Sequence, residues 1–154
     1  MKLTSALVPV FSFIPFLQES HGCRCTATNE LTRAGANEMI VVTETEKYRQ
    51  LAGVVRDMNG ELVSDVLVEV YDKPEYLLLQ YPESEEKKEE QHQIAACVVG
   101  AGGKFCFRDL PPGNYELRVS KAGGWNHTHV YVVIAAGKQK ASKRNLEITL
   151  YPGT

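Results

Sequence analysis

Between Leu51 and Leu150 apolar residues recur at every second position, in short runs broken by turn-forming residues. That period belongs to a strand with one face buried; an amphipathic helix repeats at 3.6. Val66, Val68 and Val70 fall on one side of a run, with Glu69 and Tyr71 on the other. Tyr115, Leu117 and Val119 alternate with Glu116, Arg118 and Ser120, and Leu146, Ile148 and Leu150 with Glu147, Thr149 and Tyr151. Thr128 to Ile134 is β-branched, and Leu51–Arg56, Ile94–Val99 and Lys104–Arg108 are further strand candidates. Asp57-Met58-Asn59-Gly60, Gly100-Ala101-Gly102-Gly103, Leu110-Pro111-Pro112-Gly113-Asn114 and Ala122-Gly123-Gly124 punctuate the runs. Asn-Gly accepts the positive φ of a tight turn, and proline fixes φ ahead of glycine. Turn signals every ~8–12 residues, with no sustained helical period and no internal repeat, predict about seven strands in an all-β antiparallel sandwich.

The chain has 154 residues and is 44% hydrophobic, enough for one domain with a core. Its formal net charge of −2 gives no support for a nucleic-acid partner. Lys2 precedes a nearly uninterrupted apolar stretch from Leu3 to Leu17, broken by Pro9 and Pro15. The stretch is shorter than the roughly 20 residues of a spanning helix. It reads as a signal peptide over residues 1–22, with Ser20 and Gly22 as the small residues before cleavage at Cys23. The expected localisation is secreted, periplasmic or cell envelope. Residues 23–49 form an N-terminal segment, with Met39–Val42 as an edge-strand candidate, and 50–154 the sandwich. Tyr76–Tyr81 is another apolar run, and the charged run Glu83–Glu90 reads as a solvated loop.

Two blocks carry a resemblance. Gly53-Val54-Val55-Arg56-Asp57-Met58-Asn59-Gly60, then Val66-Leu67-Val68-Glu69-Val70, resembles the opening of carboxypeptidase regulatory-like domains. Gly103-Lys104-Phe105-Cys106-Phe107-Arg108-Asp109-Leu110-Pro111-Pro112-Gly113-Asn114-Tyr115-Glu116-Leu117-Arg118-Val119 is similar to their Gly-x-Phe-x-Phe-x-x-Leu-Pro-Pro-Gly-x-Tyr-x-Leu-x-Val signature. The resemblance implies a seven-stranded Greek-key sandwich of prealbumin-like type, an accessory domain that holds or spaces other parts. It attaches no catalytic residue and no cofactor to the motif. An envelope protein or a carbohydrate is the candidate partner.

Four cysteines in an exported chain are read first as disulfides. If Gly100–Gly103 joins two arms of a hairpin, Cys97 faces Cys106. Opposed residues of a non-hydrogen-bonded pair have Cα atoms about 4.5 Å apart, within bridging distance. A Cys97–Cys106 disulfide is therefore expected, contributing about 2–3 kcal/mol. The pairing of Cys23 and Cys25 stays open. Ser20-His21-Gly22-Cys23 also resembles the end of a bacterial lipobox, which makes Cys23 a candidate for lipid attachment and membrane tethering.

His127 and His129 share a strand face and form the one candidate metal pair. Intradiol dioxygenases share this general fold and bind iron with two tyrosines and a His-x-His pair. That resemblance would enlist Tyr115 and either Tyr71 or Tyr76. The plainer reading is two surface histidines at a strand start. The ending Tyr151-Pro152-Gly153-Thr154 is similar to that of hydroxyisourate hydrolases, but Pro152 replaces their arginine, and Val54 and Val55 stand where a histidine is expected. Trp125 is a candidate ligand contact. Asn126-His127-Thr128 fits a glycosylation sequon, and Gly137 to Arg144 is a basic loop. The expected function is a non-enzymatic extracytoplasmic module for binding or structural support at the cell envelope. The alternatives are a metal-dependent enzyme using His127 and His129, or a lipoprotein tethered through Cys23.

Overall fold

The computed structural model describes residues 39–74 and 90–153, together with the backbone of Cys25 and Thr26. These residues form nine strands: β1 (Cys25–Thr26), β2 (Met39–Tyr48), β3 (Leu51–Asp57), β4 (Val66–Asp72), β5 (Gln93–Val99), β6 (Lys104–Phe107), β7 (Gly113–Ser120), β8 (His127–Ile134) and β9 (Leu146–Leu150). A six-stranded sheet runs β1-β5-β4-β7-β8-β2, and a three-stranded sheet runs β6-β3-β9. The alternating rows meet between them. Val66, Val68, Val70, Cys97, Val99, Leu117, Val119 and Val130 of the large sheet pack on Leu51, Val55, Phe105, Leu146, Ile148 and Leu150 of the small one.

Phe105, wholly buried, sits over Gly53 at the centre of the small sheet. A Cβ on Gly53 would run into the Leu146 carbonyl oxygen and reach within 2.5 Å of the Phe105 ring, so only glycine admits this approach. The Pro-Pro-Gly turn is held by its following tyrosine: Tyr115 Oη donates to the Pro111 carbonyl at 2.6 Å. Both ends of the phenylalanine signature thus anchor the core.

Pairing departs from the expected hairpins in three places. First, β2–β8 and β3–β9 are parallel, so the sandwich is mixed rather than wholly antiparallel. Second, the Asp57–Gly60 turn forms, with Gly60 at φ 83, but closes only the isolated bridge Arg56↔Leu62. Asp65 at φ 55 then redirects the chain, and β4 begins at Val66 in the other sheet. Third, Gly100–Gly103 does not join two arms of one sheet. Val99 is paired with Val66, while Lys104 is paired with Val54.

That third difference overturns the Cys97–Cys106 disulfide. Cys97 lies on β5 in the large sheet and Cys106 on β6 in the small sheet, where its opposite residue is Ala52. Cys97 faces the core, Cys106 faces outward from the small sheet, and Cys106 is not part of a disulfide. Cys97 is nevertheless disulfide-bonded. Cys23 and the side chain of Cys25 lie outside the described residues. The apolar stretch 3–17, Cys23 as the expected cleavage and candidate lipid-attachment position, Tyr76–Tyr81 and residues 83–89 of the charged run also lie outside them.

The edge strand expected at Met39–Val42 is present and longer. β2 runs on to Tyr48, in register with β8 from Met39↔His127 to Tyr48↔Ile134 across one irregularity. At its end Tyr48 Oη donates to Glu44 Oε2 at 3.0 Å. Burial, that hydrogen bond, and the charges of Glu44 and Glu46 push the Tyr48 hydroxyl well above its ordinary value.

Candidate functional site

The chemistry-bearing residues gather on the outer face of the six-stranded sheet, opposite the core. Cross-strand register brings them together: Glu69 opposes Arg118, Arg118 opposes His129, and Glu116 sits between Tyr71 and Tyr131. Each is the outward member of an alternating pair, so one strand period that sends Leu117 inward presents Glu116 and Arg118 outward.

This face is nonetheless buried. Glu116 is 0% exposed, and Glu69, Tyr71 and Tyr131 are each 7% exposed. A carboxylate can sit there only if its oxygens are met by donors or positive charge. Glu116 Oε1 accepts from Arg118 Nε at 2.8 Å, and Oε2 accepts from Gln91 Nε2 at 2.7 Å. His129 Nδ1 lies 2.9 Å from Glu116 Oε1 but outside hydrogen-bond geometry. Gln91 also donates to the Lys73 carbonyl at 3.0 Å and accepts from Arg118 Nη2. The Arg118 guanidinium lies 4.1 Å over the Tyr71 ring, a cation–π contact. Tyr71 Oη reaches Glu69 Oε1 and Gln93 Oε1 at 3.3 Å each.

The arrangement ties β4, β5, β7 and β8 together through polar groups on one side, as the apolar row does on the other. Chemically it offers a histidine beside a carboxylate. The carboxylate oxygens are engaged by the chain's own donors, and the imidazole is turned toward them.

The histidine pair shares a face, as its spacing dictates, and His129 is directed at Glu116. Tyr71 is on that face. Tyr115 is not: it points into the core, bonded to Pro111, with its hydroxyl pushed up by burial and by Asp72. The tyrosine that the dioxygenase resemblance would enlist from β7 is therefore on the wrong side of the sheet, and Tyr76 lies outside the described residues. Among the described residues no three His, Cys, Asp or Glu side chains converge as a metal site.

Trp125 is half-buried and packed against the core cluster, where it bridges to Pro152. Asn126 is 5% exposed, and its Nδ2 donates to the Pro152 carbonyl at 3.4 Å. The sequon is thus closed to modification in the folded state. The basic loop is exposed and lies at the far end of β8 from Trp125.

Sequence reasoning missed Glu116, Arg118 and Gln91. The signal was there: opposite charges at i and i+2 on one strand face, beside a histidine strand.

The family model described as carboxypeptidase regulatory-like domain matches residues 50–150. Seven of the nine strands, β3 to β9, lie within that range. No curated protein matches the chain. Among solved structures it is similar to 3-chlorocatechol 1,2-dioxygenase from Rhodococcus opacus 1CP, at 11% identity and TM-score 0.40, over 82% of this chain and 69% of that one. It is also similar to catechol 1,2-dioxygenase from Pseudomonas arvilla C-1, at 13% identity and TM-score 0.38, over 79% of this chain and 60% of that one. Neither similarity is close enough to bear on activity.

Proposed function

This chain belongs to the carboxypeptidase regulatory-like domain family, and from that premise we propose that it is a non-enzymatic extracytoplasmic module for binding or structural support at the cell envelope. The observation that carries the non-enzymatic part is the internal pairing of Glu116. Its two oxygens accept from Arg118 and Gln91, and His129 stands against it. A general base must be free to take a proton from a substrate. Glu116 instead serves as a cross-strand tie.

Export rests on the Lys2-led apolar stretch, the small residues before Cys23, and a disulfide-bonded Cys97 in a chain of four cysteines. The test is expression of the full chain in a secreting bacterial host, followed by fractionation and N-terminal sequencing. The expected product lies outside the cytoplasm and begins at Cys23. Uncleaved protein confined to the cytoplasm would remove the localisation.

Metal analysis of the purified protein tests the non-enzymatic reading separately. Stoichiometric iron or zinc that disappears in a His127→Ala/His129→Ala variant would replace it with a metal-dependent enzyme. Fatty-acid labelling lost in Cys23→Ser would add a lipid tether to the module.

A further inference from the structure

The end of the sandwich where β2 turns into β3 is basic, although the whole chain has a net charge of −2. Lys138, Lys140, Lys143 and Arg144 are exposed on the β8–β9 connection. That connection is fastened to the β2–β3 corner. Ser142 N donates to the Lys47 carbonyl at 2.6 Å, and the Arg49 guanidinium donates through Nη1 and Nη2 to the Gly137 and Gln139 carbonyls.

Beside this corner is a cavity of about 440 Å³, lined by Arg49, Gln50, Phe107, Arg108, Asp109 and Leu110. Its origin is visible in the backbone. Leu51↔Phe107 is the last pair of the β3–β6 ladder. Beyond it the two chains part: one bends back through Arg49 and Gln50 to β2, and the other turns away at Asp109, φ 61. Phe107 and Leu110 supply an apolar floor, and Arg49 and Arg108 stand at an exposed rim.

Among the described residues neither the Arg49 nor the Arg108 guanidinium pairs with a carboxylate, whereas Arg56 and Arg118 each do. The two carbonyls orient Arg49 without cancelling its charge, and an arginine has five N–H donors. Asp109 is the one acid in the lining.

We propose that this cavity binds a carboxylate carried on a small apolar body. The planar guanidinium matches a carboxylate in geometry. The apolar floor favours a ligand that is more than an inorganic ion. The volume falls in the range of small-molecule sites, roughly 300–1,000 Å³. The lysines of the adjoining connection raise the local concentration of anions, an effect that salt weakens. The C-terminal residue of a peptide and a short aliphatic acid share this chemistry. The assignment deepens the binding reading and rests on it only in that the protein binds rather than catalyses. Titration of purified protein tests it apart from export.

The experiment is a titration of the ¹⁵N-labelled full chain, read by amide chemical shifts. N-acetyl-leucine represents the peptide end and hexanoate the aliphatic acid; N-acetyl-leucinamide and inorganic phosphate are the controls. The expected result is saturable shifts at Arg49–Leu51 and Phe107–Leu110 with one or both acids, the tighter acid naming the source. Binding should weaken about tenfold for the amide and in Arg108→Gln, the effect of losing one charge-assisted hydrogen bond. Arg108 is exposed, so this variant leaves the fold intact. No saturable shift with either acid, shifts confined to other residues, equal binding of the amide or phosphate, or unchanged binding in Arg108→Gln would each overturn the assignment.

Discussion

At the centre of the six-stranded sheet both faces are buried, and they are buried by different physics. Inward, Val68, Val70, Leu117 and Val130 pack against the small sheet, and burial of apolar area is favourable without regard to direction. Outward, Glu69, Glu116 and Tyr131 are as secluded as many core residues, and their burial is tolerable only because specific partners meet them. The inner face should therefore respond to lost volume, the outer face to a lost partner.

The largest effect is expected on the inner side. Phe105→Ala removes the ring that closes the core over Gly53 and should cost about 3–5 kcal/mol, read as a shifted urea midpoint. A loss below about 1 kcal/mol, the range of ordinary surface changes, would mean that this ring is not central. Gly53→Ala tests the same contact from the other side. The added methyl meets backbone at Leu146 as well as the ring, so relaxation is restricted, and the cost should be about 1–3 kcal/mol.

On the outer side, Glu116→Gln should cost about 1–3 kcal/mol, because a charged acceptor is lost from the Arg118 and Gln91 bonds. The sharper test is the pair. Replacing Glu116 by Leu and Arg118 by Met together should cost less than the sum of the two single changes, since neither partner is left charged and alone. Strict additivity would show that the two faces do not differ in the way proposed.

How much of this was legible in the sequence divides along the same line. Alternation located β4, β7 and β9 and sorted their residues correctly between faces, because period two is a local property of the strand. It could not say which sheet a strand joins. The runs around Cys97 and Cys106 look like a hairpin, yet they belong to different sheets, and a register argument that assumed one sheet paired the wrong cysteines. Nor could it say what is buried on an outward face: Glu116 has the period of a solvent-facing residue, and besides Arg118 on its own strand it is met by Gln91 and His129 from elsewhere in the chain. The C-terminal half of β2, Thr43–Tyr48, was illegible for the opposite reason. It belongs to an edge strand with most side chains exposed, so it has no continuous buried face to impose a period.

A smaller effect separates the two tyrosines at the sandwich ends from ordinary surface ones. Tyr48 and Tyr115 have hydroxyls raised above the ordinary value near 10, first by burial. In the folded chain both stay protonated at a pH where the unfolded chain would begin to ionise. Their contribution to stability is complete below about pH 10 and is lost as pH rises from there toward the raised values. Urea midpoints followed from neutral pH to about pH 11 should fall, and Tyr48→Phe should make the fall shallower. An unchanged slope would remove Tyr48 as a contributor.

The smallest effect belongs to Cys106. Its thiol is not part of a disulfide, is half-exposed and lies on the outer side of the small sheet, where Gln50 Nε2 approaches its sulfur at 3.7 Å. Cys106→Ser keeps the shape and a weak polar contact, so the stability change should stay within about 0.5 kcal/mol. The same variant decides the cross-link. Peptide mapping without reductant should still find Cys97 joined to the segment carrying Cys23 and Cys25, because the bond to Cys97 does not involve position 106. If the variant instead leaves Cys97 as a free thiol, the two sheets must approach each other at β5 and β6 far more closely than their separate ladders allow, and the placement of β6 beside β3 would have to be abandoned.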